Sequence, residues 1–143
     1  MTPLQQAQNE WKDKTTPHLK KHPVGKKTHI HEFRKLGEAI AWLEWDGKYI
    51  VIKKFEKLPC AGKGAGTPLI EFLKSLADKY QVRISGNPMC YDPDPPIPCG
   101  PLLTQDQLEA WYEKHGFQIR KILNSDIPIM WYPDAPQMTS DAC

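Results

Sequence analysis

Between residues 57 and 80 the chain reads K-L-P-C-A-G-K-G-A-G-T-P-L-I-E-F-L-K-S-L-A-D-K-Y, and no other stretch limits the fold as much. A β-type run ends at Leu58, glycines follow at three alternate positions (Gly62, Gly64, Gly66), and a helical pattern starts at once. Thr67 suits the N-cap, and Pro68 suits the first helical position, where its missing N–H costs nothing. Leu69, Phe72, Leu73, Leu76 and Tyr80 then recur at helical spacing and make one apolar face. Glycines let the backbone turn tightly and bring several N–H groups to bear on one point. A helix N-terminus adds partial positive charge there, so the loop is suited to hold a phosphate. The alternative is a glycine-rich turn that only reverses the chain. Two familiar phosphate loops do not fit. A Walker loop needs Ser or Thr after Gly-Lys, and Gly62-Lys63 is followed by Gly64. A dinucleotide fingerprint wants an acid at the end of the next strand, where Gly86-Asn87-Pro88 stands instead.

A chain of 143 residues predicts one domain with a real core. No apolar run is long enough to span a membrane, and the first residues lack the apolar segment of a secretion signal. A cytoplasmic protein without a membrane partner is therefore expected. The net charge of +2 is uneven: residues 1–36 hold eight Lys/Arg against three Asp/Glu, so they carry +5 and the rest −3. A basic lead can touch nucleic acid or an acidic partner, but it is more often simply solvated, and nucleic acid is not expected here. Cys60, Cys90, Cys99 and Cys143 form no C-x-x-C and no zinc-finger spacing with histidine. Free thiols are expected.

Residues 1–27 are polar, lysine-rich and interrupted by Pro17 and Pro23; a short helix over Leu4 to Lys12 is the one element expected in them. His29 and His31 flank Ile30 in a strand-like pattern. Histidines two apart can bind a metal, but no third ligand is near in sequence, so they read as ordinary strand residues and no metal site is expected. Glu38–Trp45 and Lys48–Leu58 are two β-type runs joined by Asp46-Gly47, a strong hairpin signal. Both carry apolar residues on successive positions and should be central strands. Gln81–Ser85 reads as a further strand. Six prolines between residues 86 and 103 exclude helix and interior strand there. Thr104-Gln105-Asp106-Gln107 is a capping box that opens a helix to about His115, closed by Gly116. Leu108, Trp111, Tyr112 and His115 share one of its faces. Phe117–Ile122 and Ile127–Tyr132 give two last strands around Asn124-Ser125-Asp126.

Two motifs in this order carry a resemblance. Ala61-Gly62-Lys63-Gly64-Ala65-Gly66 between strand and helix resembles the acyl-CoA loop of the Gcn5-related N-acetyltransferases (GNAT), departing from it at Ala61, where Arg or Gln is usual. The segment from Ala110 to Phe117, A-W-Y-E-K-H-G-F, resembles the second signature of the same family, an aromatic followed by Tyr-Glu-Lys-x-Gly-Phe. The likeness spans roughly residues 37–132, and the chain looks most like compact members carried by phages and mobile elements, the anti-CRISPR kind included.

The resemblance implies an α+β GNAT fold: a central, mostly antiparallel mixed sheet of about six strands flanked by helices. It also implies a bulge and splay in the strand that enters the loop, and a reduced first strand and reduced N-terminal helices. Domain boundaries follow as a basic lead over 1–27, an acyl-CoA-binding domain over 28–133 and a tail over 134–143. The implied activity is acetyl transfer from acetyl-CoA to a primary amine, on a protein lysine or a small molecule. Cofactor contacts would come from Ala61, Gly62, Lys63, Gly64, Ala65, Gly66 and Thr67 around the pyrophosphate. The backbone of Phe55, Glu56, Lys57 and Leu58 would lie along the pantetheine arm. Tyr112 matches the family tyrosine beside the cofactor sulfur, a general acid; read without the family it is a core aromatic. Glu44 and Glu56 are candidate bases, and Tyr91, Asp92 and Asp94 of the proline-rich loop are candidate substrate contacts. Exposed sheet edges make a homodimer possible in this fold. Two rival readings stay open: a catalytically degenerate acyl-CoA-binding or protein-interaction module, and a nucleic-acid binder using the basic lead.

Overall fold

The computed structural model describes residues 1–24, 27–58, 62, 64–88, 104–121 and 127–133, with backbone alone for 19–24 and 27–32. Seven strands form one sheet: β1 (Thr16–Val24), β2 (Lys27–Leu36), β3 (Ala39–Asp46), β4 (Tyr49–Lys57), β5 (Arg83–Gly86), β6 (Gln118–Lys121) and β7 (Pro128–Tyr132). Their spatial order is β1-β2-β3-β4-β5-β7-β6. Every pairing is antiparallel except β4–β5, which is parallel and needs a helical crossover to connect it. The fold is therefore α+β with a mixed sheet, as expected, with seven strands rather than about six.

The β3–β4 hairpin turns through Gly47, whose φ of +62° is open to glycine at little cost. Ala39, Ala41, Leu43 and Trp45 share one face of β3. Opposite them on β4 stand Lys57, Phe55, Ile52 and Ile50, because the register shifts between Trp42 and Leu43 and leaves Lys53 as an extra residue. This bulge reverses the alternation of β4. Without it Lys54 would follow Ile50 and Ile52 onto the core face; with it Phe55 does. The expected bulge is present, and it explains why the run looks mixed after Ile52. At the same point β4 leaves β5, whose ladder with it ends at Ile52–Gly86, while β4 continues against β3 to Lys57.

One face of the sheet carries the helices α1 (Pro3–Lys14) and α2 (Thr67–Tyr80). α2 packs Leu69, Ile70, Leu73, Leu76 and Ala77 onto Leu43, Ile50, Ile52 and Ile84 in one continuous core. Its N-cap is Gly66 in a right-handed conformation, not Thr67, which is already the first helical residue; Gly66 has no side chain with which to cap. The helix ends on Gln81 in the left-handed region, whose N–H returns to the Ala77 carbonyl. α1 opens with a capping box between Thr2 and Gln5 and buries Ala7 and Trp11. Trp11 stacks on Phe72 at 6.0 Å, and Glu10 accepts from Lys79 Nζ at 2.7 Å and Tyr80 Oη at 2.8 Å.

Residues 1–24 thus hold far more structure than a short helix. β1 runs for nine residues through Pro17 and Pro23, a pattern that reads as broken. It is tolerated because β1 is the sheet edge, where one side of the strand has no ladder to interrupt. The expected reduced first strand is therefore corrected, and the N-terminal helices amount to α1, which precedes it. Arg34 of β2 ties the two together, donating to Thr15 Oγ1 at 2.7 Å, the Thr15 carbonyl at 2.8 Å and the Lys12 carbonyl at 2.9 Å. The third helix, α3 (Gln105–Lys114), opens on the expected Thr104–Gln107 capping box and is followed by Gly116 at φ +93°. Among the described residues no helix is long and apolar enough to cross a membrane.

Candidate functional site

Leu58 is the last residue held by the sheet, its N–H donating to the Glu38 carbonyl at 2.8 Å. The chain then loops into α2. Within the loop the Ala65 N–H reaches the Gly62 carbonyl at 3.2 Å and the Thr67 N–H reaches the Gly64 carbonyl at 3.1 Å. These are two consecutive tight turns, the first made possible by Gly64, its third residue, at φ +84°. Gly66 is needed for a different reason. A Cβ there would lie 3.1 Å from Phe55 Cε1 and 3.3 Å from Trp111 Cζ2, so the backbone is in close contact with both rings. At Gly62 a Cβ would meet nothing within 4 Å.

Phe55 and Trp111 belong to a chain of rings. Trp111 lies 5.7 Å from Phe55 and 5.1 Å from Tyr112, and Tyr112 lies 6.4 Å from Phe55 and 5.4 Å from Phe117. Edge-to-face pairs of this kind add a favourable quadrupole term to their area burial. Tyr112 is buried, and burial pushes its phenol well above the usual tyrosine range. Among the described residues nothing forms a hydrogen bond with its hydroxyl. The glycine loop, the end of β4 and α3 therefore converge on one spot, with Gly66, Phe55, Trp111 and Tyr112 as its walls.

His115 and Glu71 complete the α2–α3 contact, and sequence reasoning gave neither a role. His115, at the C-cap of α3, is buried; its Nδ1 lies 3.3 Å from Glu71 Oε1, and its ring packs on Trp111 at 4.5 Å. Its Nε2 is buried with no hydrogen-bond partner among the described residues. The Glu71 carboxylate also meets Lys74 Nζ at 3.2 Å. Lys74 holds it below the usual carboxylate range and His115 adds to this, while burial acts the other way. The helical spacing of Trp111 and His115 was the one signal available; the partner of His115, Glu71, lies 44 residues away in sequence.

The remaining predicted residues divide as follows. Phe55, Gly66 and Tyr112 gather at the convergence just described; Gly62, Gly64, Ala65 and Thr67 flank Gly66 in the loop and at the start of α2, Lys57 ends β4 and Leu58 follows it. Glu56 follows Phe55 on an extended strand and pairs with Ile40, so it belongs to the opposite face of the sheet. Glu44 pairs with Val51 near the hairpin end of β4 and makes a surface ion pair with Lys53 at 3.7 Å. Six residues separate Val51 from Lys57, which places Glu44 roughly 20 Å from the loop along an extended strand. Neither candidate base joins Tyr112. Ala61, Lys63, Tyr91, Asp92 and Asp94 lie outside the described residues, as do the four cysteines.

No family model matches the sequence, and no curated protein matches it. Among solved structures the chain is similar to the crystal structure of the anti-CRISPR protein AcrVA5, with a TM-score of 0.50 and 18% identity. The likeness covers 68% of this chain and 93% of that one. At this identity the likeness carries the fold alone.

Proposed function

We propose that this chain is an N-acetyltransferase that moves an acetyl group from acetyl-CoA to a primary amine, on a protein lysine or a small molecule. One observation carries the reading: the glycine loop and the Trp-Tyr pair of α3, 46 residues apart in sequence between Gly66 and Tyr112, adjoin where β4 parts from β5. A turn that only reverses the chain has no need of that neighbour. The structural likeness to an anti-CRISPR protein adds a setting, and we extend the proposal to a phage or mobile-element protein acting in the cytoplasm.

The residues present fit acetyl-CoA, which supplies a thioester-activated acetyl group. Gly64 at positive φ and the close-packed Gly66 make the loop a backbone surface, suited to a diphosphate beside the N-terminus of α2. Its Ala65 and Thr67 amides are engaged in the turns, so an anion draws on the other loop amides or replaces those bonds. The backbone from Phe55 to Leu58, beyond the last rung of β4 with β5, would hold the pantetheine arm. The Tyr112 hydroxyl, kept protonated across the neutral range by burial, would be the hydrogen-bond donor to a leaving thiolate.

A second reading keeps the binding and drops the catalysis. It is favoured by the placement of Glu44 and Glu56 away from Tyr112, which leaves the ring cluster without either proposed base. Thermal unfolding with acetyl-CoA, CoA and an unrelated nucleotide separates the readings in two steps. A ligand at 100 times its Kd adds about 2.7 kcal/mol, a rise of several degrees for a domain of this size. We expect that rise with both CoA forms, followed by turnover on one of a panel of amines. Tyr112→Phe should keep the rise and lower turnover by roughly 10²–10⁴, the usual scale for losing a proton-transfer group. A rise without turnover supports the degenerate module. No rise removes both.

A further inference from the structure

The sheet edge far from the loop brings together residues that the sequence leaves apart. Four of the five histidines lie between residues 18 and 31. His29 and His31 are two apart on β2, and what they lack in sequence is a third ligand. The β1–β2 register provides one: His22 stands opposite His29, Lys20 opposite His31 and His18 opposite Phe33. Directly paired residues share a face, as do alternate residues of one strand. His18, Lys20, His22, His29 and His31 therefore belong to one face of the ribbon, and Leu19, Lys21, Pro23, Thr28, Ile30 and Glu32 to the other.

The spacing suits a small cation. Paired positions have Cβ atoms about 4.5–5.5 Å apart and diagonal ones about 7–8 Å. His22, His29 and His31 are thus neighbouring positions of one face, about 5 to 8 Å apart, a juxtaposition of three residues of the type that ligates zinc. We propose that His22, His29 and His31 form a binding site for a divalent metal of imidazole preference, Zn²⁺ above all, with a fourth position left for water or another ligand. The residues whose side chains are described hold no such group, and the proposal stands on the backbone register.

The register also gives the site a built-in opponent and a use. Lys20 shares the face and lies opposite His31, so its charge weakens cation binding, while Lys21, opposite Ile30, is on the far side. The ribbon joins β3 by only three rungs, Arg34–Ala41, Lys35–Ile40 and Leu36–Ala39. A metal held between β1 and β2 would staple the part of the ribbon that the sheet does not hold, since binding to the folded register alone stabilises it. None of this depends on the acetyl-transfer reading.

The test uses the full chain, dialysed free of metal, titrated with Zn²⁺ by calorimetry and with Co²⁺ by visible absorption, which reports tetrahedral coordination. One ion per chain is expected. His22→Gln, His29→Gln and His31→Gln should each weaken Zn²⁺ binding by at least about tenfold, the lower end of what even outer-shell losses cost. Lys20→Gln should tighten it, and Lys21→Gln should leave it unchanged. Circular dichroism of each variant separates lost ligation from lost folding. Binding only at millimolar Zn²⁺ overturns the proposal, as does any one of the three histidine variants that folds and binds like the parent. Equal effects of Lys20→Gln and Lys21→Gln overturn it as well, because a one-residue slip in register exchanges the two faces.

Discussion

α2 and α3 meet the same sheet on different terms. α2 buries five apolar residues almost completely, whereas α3 buries Tyr112 alone and leans on the half-buried Leu108 and Trp111. α2 is held by aliphatic packing along its length. α3 is held near its C-terminal end by rings and by the contact from His115 to Glu71, and at its start by Gln105 Nε2 donating to the Pro88 carbonyl. The rings that tether α3 are assigned to the site, while Leu73, Leu76 and Ala77, which fix α2, lie beyond its first turn. A packing change in α2 should therefore alter stability and leave the chemistry of the surviving folded molecules intact. A change in α3 cannot separate the two so cleanly.

The largest effect is expected from Leu73→Ala, at a fully buried position in the middle of α2. Removing a core leucine in this way costs about 2–5 kcal/mol, the spread reflecting how far the cavity collapses. Chemical denaturation should give a lower midpoint with an unchanged slope, and acetyl-CoA should still raise the unfolding temperature of whatever remains folded. A loss under about 1 kcal/mol would mean that α2 is not the pillar its burial indicates.

A smaller effect, directed at the junction of the two helices, is expected from Gly66→Val. The backbone of Gly66 has negative φ, so valine is not strained by conformation. The penalty comes from crowding, since its Cβ would stand 3.1 Å from Phe55 and 3.3 Å from Trp111 before any methyl is added. Overpacking of this kind costs about 1–3 kcal/mol. Because the ring that must yield is the one that closes the loop, the cofactor-induced rise should fall with it. Gly62→Ala is the control for stability: among the described residues its Cβ meets nothing within 4 Å, so the unfolding temperature without ligand should match the parent. A Gly66→Val chain that keeps a full rise would detach Trp111 from the binding surface.

How much of this was legible follows the same division. α2 was legible because its apolar residues recur at helical spacing, and the α3 start because Thr104 and Gln107 form a capping box visible in four letters. Gly47 marked its hairpin. Thr67 misled as a cap, since a preference for Thr at the N-cap is weaker than the loop geometry that puts Gly66 there. β1 was hidden by Pro17 and Pro23, whose tolerance depends on an edge position that only the assembled sheet defines. Phe55 was hidden by a different device, the extra residue Lys53, which moves it to the core face. The same reversal puts Glu56 on the opposite face from the rings. Glu71 and His115 meet across 44 residues, and His22 and His29 meet only once a strand register exists; no local pattern encodes either.

The smallest effect tests whether the polar contact contributes to the hold on α3 at all. The Glu71 carboxylate is kept below its usual range, chiefly by the Lys74 hydrogen bond and further by His115, against an opposing push from burial. A carboxyl group whose folded-state pKa is depressed adds stability above its unfolded range, and loses it as pH falls through the folded-state value. Unfolding temperature measured from pH 7 downward should therefore fall more steeply for the parent than for Glu71→Gln, with the two curves converging in acid. The gap at neutral pH should be small and should shrink with added salt, since the Glu71 side chain is 49% exposed and solvent screens it. Parallel curves at all pH values would leave the rings and the Gln105–Pro88 hydrogen bond as the described tethers of α3. A gap at neutral pH that is accompanied by a smaller acetyl-CoA rise would instead join tether and site in one unit, which is where α3 differs from α2.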